Sequence, residues 1–280
     1  MHCWFNTAVL FLFVYNSFII LVYAYYIVAQ GVEKLMKYFF GYVIDYERSV
    51  RFFTIHHYLY ILFALLALMI PMRYANEQSH WFNGMKKYGV IGLFILFELI
   101  YHIQNMRFDA ITLPLHLSSF SLILSLFLMV HPKNKVVFNF AFYVGVVAGF
   151  MALIFPFSYG FPYYNFRYYH FLFTHAFIIF VPVYVLKKER HLLSKSAYHH
   201  VFFYVIFMIP LMYILNHMFY LMRINLFYNY WFIHHVPSHV SPLFSTYRSY
   251  LFFLISGYYL VLSILYIVCK KNGITNLMSE

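Results

Sequence analysis

Long runs of apolar residues, separated by short polar stretches, follow one another along the whole chain. Most of them approach the roughly 20 residues that an α-helix needs to cross the hydrocarbon core of a bilayer. We therefore expect each run to form one membrane-spanning helix. The eight runs cover residues 8–29, 52–72, 88–103, 113–130, 136–157, 170–186, 200–221 and 250–268.

This pattern predicts an all-α protein, a polytopic bundle of about eight transmembrane helices. We expect residues 1–49 to hold an additional N-terminal transmembrane helix with its loop, and residues 50–280 to form a helical transmembrane core. The first run has no Lys or Arg before it and is long for a signal peptide, which favours an uncleaved helix over a cleaved signal.

The composition excludes a soluble protein. Hydrophobic residues make up 64% of the chain and charged residues only 10%, whereas a soluble domain carries about 25% charged residues. The net charge of +11 would suggest nucleic-acid binding in a soluble protein. Here the basic residues lie in short loops between apolar runs, where they orient the chain and contact anionic headgroups, so nucleic acid is not an expected partner.

The distribution of Lys and Arg predicts the orientation. One set of alternate segments is richer in these residues: the N-terminal tail, loops 73–87, 131–135 and 187–199, and the C-terminal tail. The opposite set owes half of its basic residues to loop 30–51. Because basic loops stay on the cytoplasmic side, we expect a multi-pass protein of the cell membrane with both termini in the cytoplasm. The long loops 158–169 and 222–249 then face outside.

Polar side chains at membrane depth are costly, which makes them candidates for function. Four groups of them lie at the predicted outer ends of their helices, and residues three or four apart share a helix face. They are Thr54 with His57, Glu98 with His102, His116 with Ser118, and Arg167 with His170, Thr174 and His175. Structural explanations compete, because a membrane serine can bond to its own backbone and an interfacial arginine can reach a lipid phosphate.

Metal and cofactor binding are not predicted. The histidine pairs at 56–57, 199–200 and 234–235 are suggestive, but the sequence has neither an HExxH motif nor paired carboxylates. Cys3 and Cys269 lie near no motif and indicate no disulfide or thiolate site.

A set of short motifs resembles a known family. The stretch 113–121, Leu-Pro-Leu-His-Leu-Ser-Ser-Phe-Ser, resembles the LPLHLCS-type signature of the bacterial YwaF membrane proteins, relatives of a vertebrate intramembrane phospholipid acyltransferase. Similar elements follow in the family's order over about residues 50–265, leaving the first helix outside the resemblance. They are Thr54 with His57, Tyr159-Gly160-Phe161-Pro162, Phe166-Arg167, Thr174-His175, Asn229-Tyr230-Trp231-Phe232, Pro237 and Ser241-Pro242-Leu243.

The resemblance implies acyl chemistry, because the Cys and His of the acyltransferase member fall on Ser118 and His175. Ser118 replaces that Cys and needs a base to take its proton. Where the family commonly has an Asp after the proline that ends the fifth helix, Phe157 follows Pro156. Glu98 is the only acid within the predicted helices.

We therefore expect an intramembrane lipid acyltransferase or lipid hydrolase acting near the outer leaflet on a membrane phospholipid or another lipid acyl donor. Ser118 would be the nucleophile, His175 the general base and His116 a stabiliser of negative charge. The expected substrate contacts are Arg167, Thr54, His57, Glu98, His102 and Asn229. The alternative is a transporter or receptor, not an enzyme, with an outward His/Arg/Glu pocket for an anionic or metal ligand. The oligomeric state stays open.

Overall fold

The computed structural model describes residues 31–41, 43–106, 113–156, 160–190, 193, 195–222, 229–236 and 243–271. The predicted first helix, 8–29, lies outside these residues. A π-helical turn at Leu35–Phe39 precedes seven long helices. They are α1 (Ile55–Tyr74), α2 (Met85–Met106), α3 (Leu117–Val130), α4 (Lys135–Ile154), α5 (Phe166–Lys188), α6 (Lys195–Met222) and α7 (Tyr247–Lys271).

The all-α prediction is confirmed, and each predicted run from 52–72 onward corresponds to one helix. Six helices are long and apolar enough to cross a membrane. The exception is α3, which has 14 residues and begins at Leu117 rather than at residue 113. The preceding residues bond to a distant loop instead: the Leu113 amide donates to Tyr230 Oη at 2.6 Å, and the Leu115 carbonyl accepts from Trp231 Nε1 at 2.7 Å.

The helices alternate in direction, so the bundle has two ends. We call the end at which α2 stops and α3 and α5 start the site end. The opposite end, at which α5 stops and α6 starts, is the basic end, because Lys86, Lys87, Lys187, Lys188 and Lys270 lie there.

Helix α5 forms the centre of the bundle. It packs against α1, α3 and α4, and 78% of its membrane-spanning window is buried. Its side chains join both large apolar clusters of the core, through Ile178 and Val181 in one and Leu172 and Ile179 in the other. Side chains on α5 are therefore held on several sides at once.

Helix α4 approaches α5 at glycines. A Cβ atom on Gly149 would lie 2.7 Å from the His175 carbonyl oxygen and 2.6 Å from Ile179 Cγ1. A π-helical stretch, Ala141–Val146, interrupts α4 one turn earlier and contains Gly145. The missing side chains let the backbone of α4 lie directly on the backbone around His175.

Helices α6 and α7 form a peripheral pair. Only 22% of the α6 window and 11% of the α7 window are buried. The two helices run antiparallel and meet through aromatic rings, with Tyr198 5.1 Å from Tyr266 and Phe202 4.8 Å from Tyr259 between ring centroids.

Irregular segments cover the site end. Residues 43–51 lie against 160–165, with an isolated bridge between Ser49 and Pro162 and a 2.8 Å hydrogen bond from the Asp45 amide to the Gly160 carbonyl. Gly160 has φ +78°, a conformation that a side chain would strain. No strand occurs in the described ranges.

Candidate functional site

An acid–histidine pair joins α2 to α5. Glu98 on α2 accepts a 2.8 Å hydrogen bond from His170 Nε2 on α5. His102, one turn further along α2, places its Nε2 3.8 Å from the other carboxylate oxygen. The Tyr101 ring stacks on His170 with centroids 4.6 Å apart and planes within 10°. The pair is therefore fixed in position within the membrane-spanning region.

His175 lies beside this pair, five residues further along α5, and only 8% of it is exposed. Its Nδ1 donates a 2.7 Å hydrogen bond to the Phe171 carbonyl, which places the ring proton on Nδ1. The lone pair of Nε2 has no hydrogen-bond partner in the part of the chain that the structure describes. His175 also interacts electrostatically with His170, Glu98 and His116.

His116 enters the cluster from the start of α3. It occupies the residue before Leu117, and its ring packs 5.0 Å from Tyr230 and 5.6 Å from Phe232. Asn216 on α6 holds this loop through two hydrogen bonds with the Tyr230 backbone, 2.8 and 2.9 Å long. The loop 229–232 thus covers His116 and ties α6 to the start of α3.

Ser118 lies in the first turn of α3, two residues after His116. It is half-buried, and its hydroxyl makes no hydrogen bond with His175 or with any other residue in the described ranges. His116 makes no side-chain cap on the helix. The amides of Leu117, Ser118 and Ser119 therefore have no hydrogen-bond acceptor among the described residues, which makes this helix start suited to an anion.

Three buried hydroxyls continue from Ser118 into the core. Ser121 and Ser125 follow on α3 at the predicted spacing, and Thr174 adjoins His175 on α5. None of the three has a hydrogen-bond partner among the residues described. Ser121 faces Gly145 of the π-helical stretch, where an added Cβ would lie 3.6 Å from the serine oxygen.

Arg167 lies at the edge of the cluster. Its guanidinium is stacked between the rings of Tyr101 and Phe161, each 4.5 Å away, and its Nε donates to Gln104 Oε1 at 3.3 Å. Gln104 and Asn165 also hold the segment before α1, because both side chains donate to the Gly41 carbonyl, at 2.8 and 2.7 Å. The charge is therefore packed against aromatic rings beside His170.

The other predicted substrate contacts have structural partners outside this cluster. Thr54 caps α1 by accepting from the His57 amide at 3.4 Å, and His57 Nε2 donates to the Ile154 carbonyl at 2.8 Å. Asn229 Oδ1 accepts from the His234 and His235 amides. Substrate contact by Thr54, His57 and Asn229 stays a prediction.

The structure thus brings together Glu98, His102, His116, His175 and Arg167, with Ser118 following His116. The role of His170 as the hydrogen-bond partner of Glu98 was missed, as were Tyr101, Gln104 and Asn165. Asn165 carried a usable signal, since an Asn directly before an apolar run is a typical helix cap, and its Oδ1 accepts from the Arg167 amide at 3.0 Å. Four motif residues, Tyr159, Pro237, Ser241 and Pro242, lie outside the described residues.

Within the described ranges, no group of three His, Cys, Asp or Glu side chains is arranged to hold a metal ion. The arrangement is instead one of neutral or paired imidazoles, a carboxylate, a hydroxyl and free amides, which suits proton transfer and anion stabilisation.

Comparison with known proteins identifies the family. Neither the curated proteins nor the solved structures contain a match to the chain. The family model described as TMEM164 family matches residues 4–268 and so includes the N-terminal segment that the motif resemblance left out. The chain is therefore a multi-pass membrane protein that belongs to the TMEM164 family.

Proposed function

We propose that the protein is an intramembrane lipid acyltransferase or lipid hydrolase, with Ser118 as nucleophile and His175 as general base. Ser118 Oγ attacks the carbonyl carbon of a phospholipid ester while His175 Nε2 takes the hydroxyl proton. The ester C–O bond then breaks, and the proton passes from His175 to the departing lysolipid oxygen. A second lipid hydroxyl or water next attacks the acyl-serine, which completes transfer or hydrolysis.

The observation that carries this proposal is the hydrogen bond from His175 Nδ1 to the Phe171 carbonyl. A general base needs an unprotonated nitrogen directed at the nucleophile, and serine hydrolases fix that tautomer with a carboxylate. Here a backbone carbonyl in the same helix does so. The absence of an Asp near His175 is then compatible with its role as a base.

The start of α3 supplies what the reaction needs next. The attacked carbonyl oxygen becomes an anion, and amide donors that are already in place stabilise it without rearrangement. The unbonded amides of Leu117, Ser118 and Ser119 lie beside the nucleophile itself. The His116 ring, close to His175, is a further donor to this oxygen.

The length of α3 places the nucleophile below the membrane surface. Fourteen residues rise about 21 Å, whereas the hydrocarbon core is about 30 Å thick. Lys133 follows α3 at the basic end and favours the interface there. The start of α3 then lies about 9 Å within the core, close to the ester groups of a phospholipid.

Glu98 and His170 act as positioning residues in this proposal. The carboxylate holds His170, which stacks on Tyr101 and adjoins His175. A negative charge in this place favours the imidazolium that forms on His175 during attack.

A second candidate function rests on the missing hydrogen bond between Ser118 and His175. Catalytic hydrogen bonds often form only with substrate bound, but a site without catalysis would show the same gap. The cluster of Glu98, His102, His116, Arg167 and His175 would then serve a transporter or receptor for an anionic ligand.

Acyl redistribution in vesicles tests both candidates. The purified protein is reconstituted in mixed phospholipids with and without lysophospholipid, and the acyl species are followed by mass spectrometry. Ser118→Ala and His175→Ala should each lower the rate by at least about 100-fold. Ser119→Ala, the neighbouring serine, is the matched control and should keep activity, while Ser118→Cys should raise it if thiolate attack is faster.

The opposite result is equally clear. No acyl redistribution by folded wild-type protein in any lipid mixture would refute the enzyme. Ligand binding that falls in Glu98→Gln, His102→Ala and Arg167→Ala but not in Ser118→Ala would instead establish the transporter or receptor.

The proposal also includes the location in the cell. We assign the protein to the cell membrane with the basic end and both termini in the cytoplasm, which puts the cluster in the outer leaflet. Labelling of intact cells by an impermeant maleimide should modify Asp45→Cys at the site end and leave Glu77→Cys at the basic end unmodified. The reverse labelling would invert the orientation.

A further inference from the structure

A second surface with the character of a binding site lies between α6 and α7. An open groove of about 910 Å³ runs along the two helices. It lies towards the basic end and shares no lining residue with the cluster around His175. Its lining residues are Ser196, His199, His200, Phe202, Phe203, Phe252, Ile255, Ser256 and Tyr259.

The groove is polar at one end only. Ser196, His199 and His200 lie in the first turns of α6, and the Ser196 hydroxyl lies 3.3 Å from His200 Nδ1. Further along, the walls are Phe203, Ile255 and Phe252, with Phe252 76% exposed. This sequence of chemistry, from polar groups to hydrocarbon, is that of a membrane lipid.

The depth of the groove matches one leaflet. Ile209 and Leu251 pack in the same apolar cluster, so Phe252 stands near the level of Ile209 on the antiparallel helix. From Ser196 to that level, α6 rises about 20 Å. Half of the hydrocarbon core is about 15 Å thick, so the groove reaches from headgroup depth to the middle of the bilayer.

The polar end also carries positive charge. Lys270 follows Tyr259 by three helical turns on the same face of α7, and it is exposed. It therefore lies beside the early turns of α6 at the basic end. A lysine at this depth favours an anionic headgroup by about 1 kcal/mol.

We infer that the α6–α7 groove is a binding site for one anionic glycerophospholipid of the leaflet at the basic end. Its phosphate contacts Ser196, His200 and Lys270, and one acyl chain lies along Phe203, Ile255 and Phe252. This inference does not depend on the proposed acyl chemistry.

Photocrosslinking of the full-length protein tests the site. Vesicles of phosphatidylcholine receive a small amount of phosphatidylglycerol or phosphatidylcholine with a diazirine on one acyl chain, and the modified residues are mapped by mass spectrometry. Met69 on α1, 60% exposed and at similar depth, reports ordinary surrounding lipid. Relative to Met69, the groove should be labelled about fivefold more by the phosphatidylglycerol probe than by the phosphatidylcholine probe.

Variants separate the headgroup contacts from the chain contacts. The double substitution His200→Ala with Lys270→Ala should abolish the headgroup preference, whereas Lys86→Ala, which removes a basic-end charge elsewhere, should keep it. Ser256→Trp should fill the groove and lower its labelling about fivefold, while Leu260→Trp, on an exposed position outside the lining, should not.

Two results would overturn the inference. Labelling of the groove in the same ratio as Met69 would identify ordinary surrounding lipid. A groove that neither probe labels, together with crosslinks between two copies of the chain, would identify a dimer interface. Both readouts use the wild-type protein, so they remain decisive if Ser256→Trp fails to fold.

Discussion

Helix α5 and the α6–α7 pair are built from similarly apolar sequences, yet α5 is mostly buried in protein and the pair mostly faces lipid. In water, apolar residues mark the core; in a bilayer, lipid is as apolar as the core, so they mark neither side. The difference lies in the polar residues. Helix α5 carries Arg167, His170, Thr174 and His175, whereas the pair carries none of these at comparable depth except its terminal groups.

Serine side chains show the same contrast at closer range. On α7, Ser256 and Ser263 donate to carbonyls one turn earlier, at 2.6 and 2.8 Å. On α3, Ser121 and Ser125 are fully buried and make no such bond. A serine that satisfies itself tolerates lipid, and one that does not must lie in protein.

Glycine substitution should show the contrast most strongly. Gly149→Ala would place a Cβ 2.7 Å from the His175 carbonyl oxygen, a backbone atom that cannot move away easily. We expect a loss of about 3 kcal/mol in the free energy of unfolding, measured by thermal unfolding in detergent. Gly257→Ala on α7 has nothing within 4 Å of the added Cβ and should be neutral or slightly stabilising. Equal destabilisation by both would contradict the close contact of α4 and α5.

The connection between the two regions should be the next most sensitive point. Asn216→Leu on α6 removes both hydrogen bonds to the Tyr230 backbone and leaves those groups buried without partners. The expected loss is about 2 kcal/mol, together with lower acyl activity because the loop over His116 loosens. Met218→Leu, on the exposed face of α6, should change stability by less than about 0.5 kcal/mol. An Asn216→Leu protein of unchanged melting temperature would show that this loop is not held from α6.

Charge within the core is a smaller effect. Glu98→Gln keeps a polar group of the same shape but removes the charge from the 2.8 Å bond to His170. We expect a loss of about 1 kcal/mol. Glu77→Gln removes the same charge from an exposed pair with Arg190 and should cost less than about 0.5 kcal/mol. Unfolding measured in both variants distinguishes them, and a larger effect of Glu77→Gln would refute the importance of the core pair.

Acidification should give the smallest effect, at the loop 229–236. Burial lowers the pKa of His234, with His235 and His217 nearby adding to it, and burial also lowers the pKa of His235. The folded state then binds fewer protons than the unfolded state, so this stability is present above about pH 6.5 and is lost as the pH falls below it. The melting temperature of the wild type should drop more between about pH 7.5 and 5.5 than that of His234→Asn. Parallel curves would exclude a contribution from His234.

Apolar run length was sufficient to locate seven helices, and depth was sufficient to select most of the cluster. Glu98, His102, His116, Arg167 and His175 stood at one end of the predicted bundle, and the structure brings them together. Their pairing was beyond the sequence, because which histidine meets Glu98 depends on how α2 and α5 rotate against each other. The first turn of α3 was also mislocated, since the hydrogen bonds that hold residues 113 and 115 come from a loop more than a hundred residues away.

Local chemistry explains where individual residues were misjudged. The spacing of Thr54 and His57 suggested a shared functional face, but a Thr three residues before a helical amide is also the ordinary arrangement of a helix cap. Asn229 similarly holds its own loop. Such residues satisfy backbone groups nearby, and a motif in a single sequence does not distinguish that role from contact with a substrate.

The π-helical stretch of α4 has a consequence for how this protein tolerates insertions and deletions. Bonding to the fifth residue instead of the fourth accommodates one more residue than an α-helix of the same form would hold. Loss of a single residue there would restore regular winding and rotate the rest of α4 by about 100°. Gly149 would then turn away from His175, and a bulkier neighbour would take its place. The reading register of this one helix, more than its composition, keeps the two backbones in contact.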